Sequence, residues 1–422
     1  MISTTKSPSP WAFIPTLYFA SGIPYVIINT VSVIFYKNLG VNNIQISFWT
    51  SLLYFPWVIK MFWGPIVDIY STKRTWLLAT QFAMFCCLGL IAFSLQLPDF
   101  FVISLGALTV GAFISATYDI ATDGFYLLAL NPGQQAFFVG IRSLFYRIAL
   151  IFGSGFLVFF AGTVEERYLN NISLSWTITI GLAALILAIL FIFHRILLPF
   201  PESEREQQAQ VEKPKLPFLK IIISYFRQEK ITAILAFILL YRLGEAMLLK
   251  LAQLFLLDKP DAGGLGLSTS TVGLVYGTFG VLSLIVGGIL GGLSISQYGL
   301  RKCLLPMALA LNLPDLFYVY MAYAKPAQPL VYALVSLEQL GYGFGFTAFS
   351  VYLMYISKGE YKTSHFAIST GIMALGMMLP GLVSGYIQAK VGYPLFFVLV
   401  CLLTIPGMIT LFLIPLQEET NR

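Results

Sequence analysis

Charge is scarce in this chain. Only 10% of its 422 residues are Asp, Glu, Lys or Arg, against about 25% in an average soluble domain. The 58% of hydrophobic residues exceeds what a soluble core can absorb. Histidine occurs twice, as His194 and His365, both at ends of apolar runs and far apart in sequence. That placement argues against a metal site and for side chains facing loops or headgroups. Cys86, Cys87, Cys303 and Cys401 all fall inside apolar runs, which reads as small buried side chains and not disulfides. No phosphate loop of the form G-x-x-x-x-G-K is present, which argues against ATP drive. No acid pair stands beside a nucleophile or metal cluster, so the reading is not an enzyme and calls for no cofactor. A cleavable leader is not expected, because the first apolar run is too long and "MISTTKSPSP" lacks a cationic start.

Long apolar runs take the place of all this. They recur at about 20 residues each, enough to cross a hydrocarbon layer of about 30 Å as a helix. Twelve spans are predicted, at 11–36, 44–66, 76–96, 100–130, 137–161, 174–198, 231–257, 270–297, 303–323, 328–356, 365–389 and 392–416. The fold class is therefore an all-α membrane protein with two six-helix halves, 1–198 and 231–422. Between them 199–230 reads as a linker, since "PFPESEREQQAQVEKPKLP" has too little to bury. Its end, "PKLPFLKIIISYFRQEK", sets an apolar stripe of Leu216, Phe218, Leu219, Ile222 and Phe226 against Lys215, Lys220 and Arg227. An interfacial helix on the inner leaflet fits that pattern, with a plain extension of the seventh helix as the alternative.

Basic loops stay on the cytoplasmic side. With the N-terminus inside, Lys6, Lys73, Arg74, Arg301, Lys302, Lys358, Lys362, Arg422 and the basic linker are all cytoplasmic. Outside are only Lys37, Arg167, Lys259, Lys325 and Lys390. Both termini and the linker are thus expected in the cytoplasm, and the net charge of +6 reflects topology and not nucleic-acid binding.

Charges inside the spans are the candidates for function, because a carboxylate at mid-bilayer costs roughly 2.5–3.5 kcal/mol and needs a partner or a wet cavity. "SATYDIATDGFYLL" (115–128) puts Asp119 and Asp123 four apart on one helix face, where they repel when both are ionised. At 1.5 Å per residue, Asp123 lies about 12 Å and Asp119 about 18 Å from the loop at 131–136, and Arg142 and Arg147 lie about 9 Å and 16 Å from it on the next span. The depths match Asp123 with Arg142 and Asp119 with Arg147, either as a coupling ladder or as a static clamp. "YRLGEAMLLK" adds Arg242 and Glu245, "NLPDLF" adds Asp315, and "SLEQLGYGFGF" adds Glu338 and Gln339, all near one depth. "ASGIPY" is expected to break the first helix at Gly22 and Pro24. Lys60 and Lys250 are expected to snorkel from span ends.

An internal repeat follows the second and eighth spans. "GPIVDIYSTKRTW" (64–76) and "GGLSISQYGLRKC" (291–303) each read as a glycine-started turn ending in a basic pair. Two halves with matching loops suit a parallel two-half transporter. Here the chain resembles the major facilitator superfamily, whose loop motif is G-x-x-x-D with a following basic pair. Gly64, Asp68, Lys73 and Arg74 fit, as do Gly291, Arg301 and Lys302, with Ile295 or Ser294 at the acidic position. The motif implies a latch at the cytoplasmic gate.

A narrower resemblance, to the AmpG-type muropeptide permeases of the peptide and acetyl-coenzyme A transporter group, extends over nearly the whole length. It rests on "SGIP", "FWGPIVDIY", "SATYDIATDGF", "YRIALIFGSG" with Tyr146 and Arg147, and "GGLGLSTSTVGLVYG". The chain departs from the pattern at Tyr126, where a basic residue is common, and at Gln134 and Gln135, where an acidic–basic pair is common. The resemblance implies a proton-coupled symporter of the cytoplasmic (inner) membrane, a monomer, importing anhydromuropeptides or related amino-sugar glycans. Other oligosaccharides, acyl-coenzyme A esters and a receptor without transport stay open.

Overall fold

Without water in a bilayer core, a spanning segment must satisfy its backbone internally, and each of the predicted spans is helical. The structure is a computed structural model describing residues 8–200, 218–357 and 361–416. Lys6, Lys215, Leu216, Lys358, Arg422 and most of the linker lie outside those residues. Pro10–Asn38, Lys73–Ser94, Phe100–Ala129, Pro132–Leu169, Ile172–Leu197, Ile231–Leu257, Thr269–Tyr298 and Leu300–Ala324 are each long and apolar enough to cross a membrane. Ser364–Thr410 holds the last two spans, which part at Gly392, whose φ of 75° is non-helical. Gln328–Ile356 is the tenth. The second is a chain of short helices, Asn43–Leu52, Phe55–Ile59, Lys60–Phe62 and Gly64–Ile69. The protein is an all-α, multi-pass membrane protein.

The chain divides into two units, residues 1–31 with 59–214 and residues 32–58 with 215–422. In the first unit the leading span packs on Pro132–Leu150, and Lys73–Ser94 packs between Phe100–Ala129 and Ile172–Leu197. Gly22 is a packing residue and not a break: a Cβ there would lie 2.6 Å from the Ala149 Cβ. The expected interruption at Gly22 and Pro24 is absent, since Ile14–Val26 is helical through Pro24. The irregularity follows it, as a π-helical turn at Ile27–Val31. A helix absorbs one missing N–H by such local adjustment when neighbours pack against it.

In the second unit the breaks come where none was predicted. The seventh span is interrupted at Tyr241 and Arg242, between Ile231–Leu240 and Leu243–Leu257. The ninth is interrupted at Leu313 and Pro314, between Leu300–Asn312 and Asp315–Ala324. Proline has no N–H to give the carbonyl four residues back. That carbonyl, of Ala310, is the one Gly341 approaches so closely that a Cβ would stand 2.1 Å from it. Small residues bring these helices together, as is usual in membranes. Tyr241 stacks on Phe349 at 5.3 Å beside Phe237 and Tyr352 in the core of this unit.

The second copy of the loop motif differs from its reading. Val281–Tyr298 is helical through Gly291, Ser294 and Ile295, and the turn is made by Gly299 alone, at φ 78°. Gly291 packs on the tenth span, where a Cβ would come 2.9 Å from the Phe344 carbonyl. Of the cysteines, Cys87 and Cys303 are buried, but Cys86 is exposed on the flank of its span, because neighbouring positions on a helix face different ways.

Candidate functional site

Two polar constellations stand inside the spans, one in each unit. In the first unit Arg142 Nη1 lies 3.1 Å from Asp123 Oδ1 and 3.0 Å from the Tyr18 hydroxyl. Tyr18 in turn donates to Asp123 Oδ1 at 2.8 Å. The guanidinium also lies over two aromatic rings, 5.4 Å from Tyr18 and 4.8 Å from Tyr126. The Asp123 side chain is 63% exposed, so this ion pair presents an accessible polar face. Four residues back along the same helix face, Asp119 is half-buried and accepts from Ser21 Oγ at 2.6 Å. Arg147 and Tyr146 are half-buried on the facing span, with the Tyr146 ring 6.1 Å from that of Tyr25.

Tyr18 and Ser21 were not among the residues singled out from sequence. Their spacing of three on the first span matches the spacing of four between Asp119 and Asp123 on its antiparallel neighbour, which is the signal that could have found them. The uncharged loop positions also have a structural reason. Asn131 and Gln134 form a reciprocal cap at the start of Pro132–Leu150, Gln135 donates to Leu127 O and Leu130 O at 3.0 and 2.9 Å, and the Tyr126 hydroxyl donates to Gln135 O.

The histidines do not face loops or headgroups. His194 is fully buried, with Nδ1 2.8 Å from Gln81 Nε2 and Nε2 2.9 Å from Thr16 Oγ1. His365 is buried, with Nε2 2.8 Å from Ser224 Oγ. Each has found a hydrogen-bonding neighbour in the interior, which a one-dimensional reading of span ends cannot see. Lys250, expected to snorkel, is likewise buried and donates to Thr50 Oγ1 at 3.0 Å.

At the first loop motif, Lys73 is buried and donates to Val67 O at 3.1 Å. Arg74 donates to Arg195 O at 2.7 Å and Leu198 O at 3.2 Å, capping the end of Ile172–Leu197 with a cation. Gly64 opens the short helix that carries Asp68; the Asp68 side chain is not among the described ones. Arg301 and Lys302 are exposed at the start of Leu300–Asn312.

In the second unit Glu245, Asp315 and Glu338 come together. All are buried, at 0%, 0% and 1% exposure. Glu245 lies within electrostatic range of both of the others. Glu338 accepts from Gln339 at 3.1 Å and from the Tyr318 hydroxyl at 3.5 Å. Arg242 lies within range of Glu245 and over the rings of Tyr342 and Phe346, at 5.2 and 4.7 Å. Elsewhere in this unit Asp258 pairs with Lys37 and accepts from Asn43 at 2.9 Å and Tyr393 at 2.6 Å. Sequence alone does not show that knot, because Lys37 reads only as a loop charge.

The comparisons with known proteins bear on the family and the fold. A profile of the Major Facilitator Superfamily matches residues 16–256. The anhydromuropeptide permease of Escherichia coli strain K12 is 26% identical over 97% of this chain and 81% of its own length. A putative transporter named AmpG 4 from Rickettsia felis is 24% identical over 94% of both chains. Among solved structures, a D-xylose-proton symporter superposes with a TM-score of 0.73 at 11% identity, covering 95% of this chain and 96% of its own. A point mutant of the nucleoside transporter NupG gives 0.69 at 16% identity, covering 95% and 97%. With twelve helical spans among the described residues, polar groups held inside them and a profile match over more than half its length, this chain belongs to the Major Facilitator Superfamily and is a secondary transporter.

Proposed function

We propose that this protein imports cell-wall-derived anhydromuropeptides or related amino-sugar glycans across the cytoplasmic membrane, coupled to protons. The observation that carries the cargo is the accessible face at Asp123. There an arginine held by a carboxylate and a tyrosine hydroxyl lies against two tyrosine rings. Sugar rings stack on aromatic faces, and an acidic peptide presents carboxylates that an arginine binds through paired N–H groups. The near-full-length similarity to an anhydromuropeptide permease supports the same class. Protons suit a chain that keeps several acids inside its spans. On this reading the protein is not an enzyme, acts as a monomer, and has both termini in the cytoplasm, with Asp68, Lys73 and Arg74 at the cytoplasmic gate.

The test is uptake into proteoliposomes holding the purified chain, with anhydromuropeptide, a neutral disaccharide and an acyl-coenzyme A ester offered in parallel under an imposed pH gradient. Saturable, gradient-dependent entry of the muropeptide alone is expected. Entry of the disaccharide or the coenzyme A ester instead would reassign the cargo. Binding without entry of any of them would make the protein a receptor.

A further inference from the structure

Lys250 is a buried cation with nothing of opposite sign beside it. It is 6% exposed, in the middle of Leu243–Leu257. Among the described residues no carboxylate lies within ion-pairing distance or electrostatic range of its ammonium. Glu245, the acid of the same helix, is five positions away and so faces another side. Buried charges are otherwise paired or bound to a ligand.

What surrounds the ammonium is neutral. Its Nζ donates to Thr50 Oγ1 at 3.0 Å and lies 5.5 Å from the centre of the half-buried Tyr54 ring. The Thr50 hydroxyl gives its own proton to Ile46 O at 2.7 Å, so toward the lysine it can only accept. Thr50 thus aims the ammonium and leaves two of its three N–H groups unused.

Next to Thr50, Ser51 Oγ is 0% exposed and without a hydrogen-bond partner. A buried hydroxyl is rarely left so. Ser51 and Lys250 flank one point, the missing side chain of Gly381 on the eleventh span: a Cβ there would overlap Ser51 Oγ and lie 3.3 Å from Lys250 Cε. Unused O–H and N–H donors carrying one positive charge therefore stand around a glycine, all inside the second unit. The two oxygens of a carboxylate suit that arrangement, one accepting from the ammonium and one from the hydroxyl.

We propose that Lys250 and Ser51, with Thr50 orienting the ammonium, form a carboxylate subsite in the second unit that takes the acidic end of the cargo in passage; this rests on the acidic-cargo reading above. With so little exposure, the site opens only as the second, seventh and eleventh spans part, as alternating access allows. A carboxylate that pairs with Lys250 favours the opened state, because in the closed one the charge has no counter-ion.

The test uses the full chain in lipid nanodiscs and two small probes, N-acetylglycine and its uncharged amide. The parent is expected to melt higher with the acid and not with the amide. Lys250→Met should lose that shift, and Lys250→Arg, which keeps the charge, should retain most of it. Ser51→Ala should need about tenfold more acid for the same shift; it removes only a hydroxyl and carries the test if Lys250→Met fails to melt cooperatively. A parent without an acid-specific shift overturns the site. So does a shift that survives both Lys250→Met and Ser51→Ala, or one lost only in Arg142→Gln. In proteoliposomes Lys250→Met should raise the KM for anhydromuropeptide about tenfold or more with little change in the saturated rate, a split that a merely structural lysine would not give. The melting readout needs no cargo. Loss of the shift in Lys250→Met with no muropeptide uptake by the parent supports the site and sinks the cargo reading; uptake by Lys250→Met at the parent KM overturns the site alone.

Discussion

Around Asp123 and around Lys250 a unit charge, negative in one case and positive in the other, meets opposite surroundings. Exposed ion pairs contribute only about 0.2–1 kcal/mol to stability, and the Asp123 side chain is 63% exposed. Asp123→Asn should therefore leave the melting temperature of the purified protein nearly unchanged while abolishing cargo uptake, because Arg142 loses the carboxylate that orients it. A large drop in melting temperature would make the pair structural. Lys250 is buried with Thr50 Oγ1 as its hydrogen-bond acceptor. A buried charge is often replaced without loss by an apolar side chain of similar volume, whereas removing its partner strands it. Lys250→Met should melt at the same or a higher temperature than the parent, and Thr50→Val should melt lower, by about 1–3 kcal/mol of lost stability. The reverse order would show that the ammonium itself holds the fold.

Between helices, glycine decides how closely backbones approach. A Cβ on Gly287 would stand 2.0 Å from the Leu340 carbonyl, while one on Gly292, in the same helix, would meet nothing within 4 Å. Gly287→Val should lower stability by about 1–3 kcal/mol or more through forced separation of the eighth and tenth spans. Gly292→Ala should be neutral or gain up to about 1 kcal/mol from helix propensity. Parallel melting curves check the pair, and equal effects would deny that close approach matters. The sequence reading found glycine in "GGLSISQYGLRKC" but assigned Gly291 to a turn. A glycine in a turn and a glycine at a helix contact look the same in one dimension; only the partner backbone distinguishes them. The same holds for Pro24 and Pro314, of which one is absorbed by a helix and the other ends one.

For the molecule as a whole, the distribution of lysine and arginine predicts the side of each loop. Cysteine placed at Arg167 should react with an impermeant maleimide in intact cells, and cysteine placed at Lys302 only after permeabilisation. Cys86, being exposed, has to be replaced first. Labelling of position 302 from outside would invert the orientation.

Composition and run length alone were enough to specify a twelve-span helical membrane protein, since a bilayer admits few ways of satisfying a backbone and each span must be long and apolar. The depth of the charges was legible too, because rise along a helix is fixed: Asp123 and Arg142 were matched from counting and stand 3.1 Å apart. Rotation about the helix axis and the identity of neighbours from distant spans were not. Tyr18 beside Asp123, His194 beside Gln81 and Thr16, and Lys250 beside Thr50 depend on contacts across 105, 113, 178 and 200 residues. Only the packed structure could decide which buried charges are relieved by such neighbours and which, at Glu245 and Asp315, are left without them.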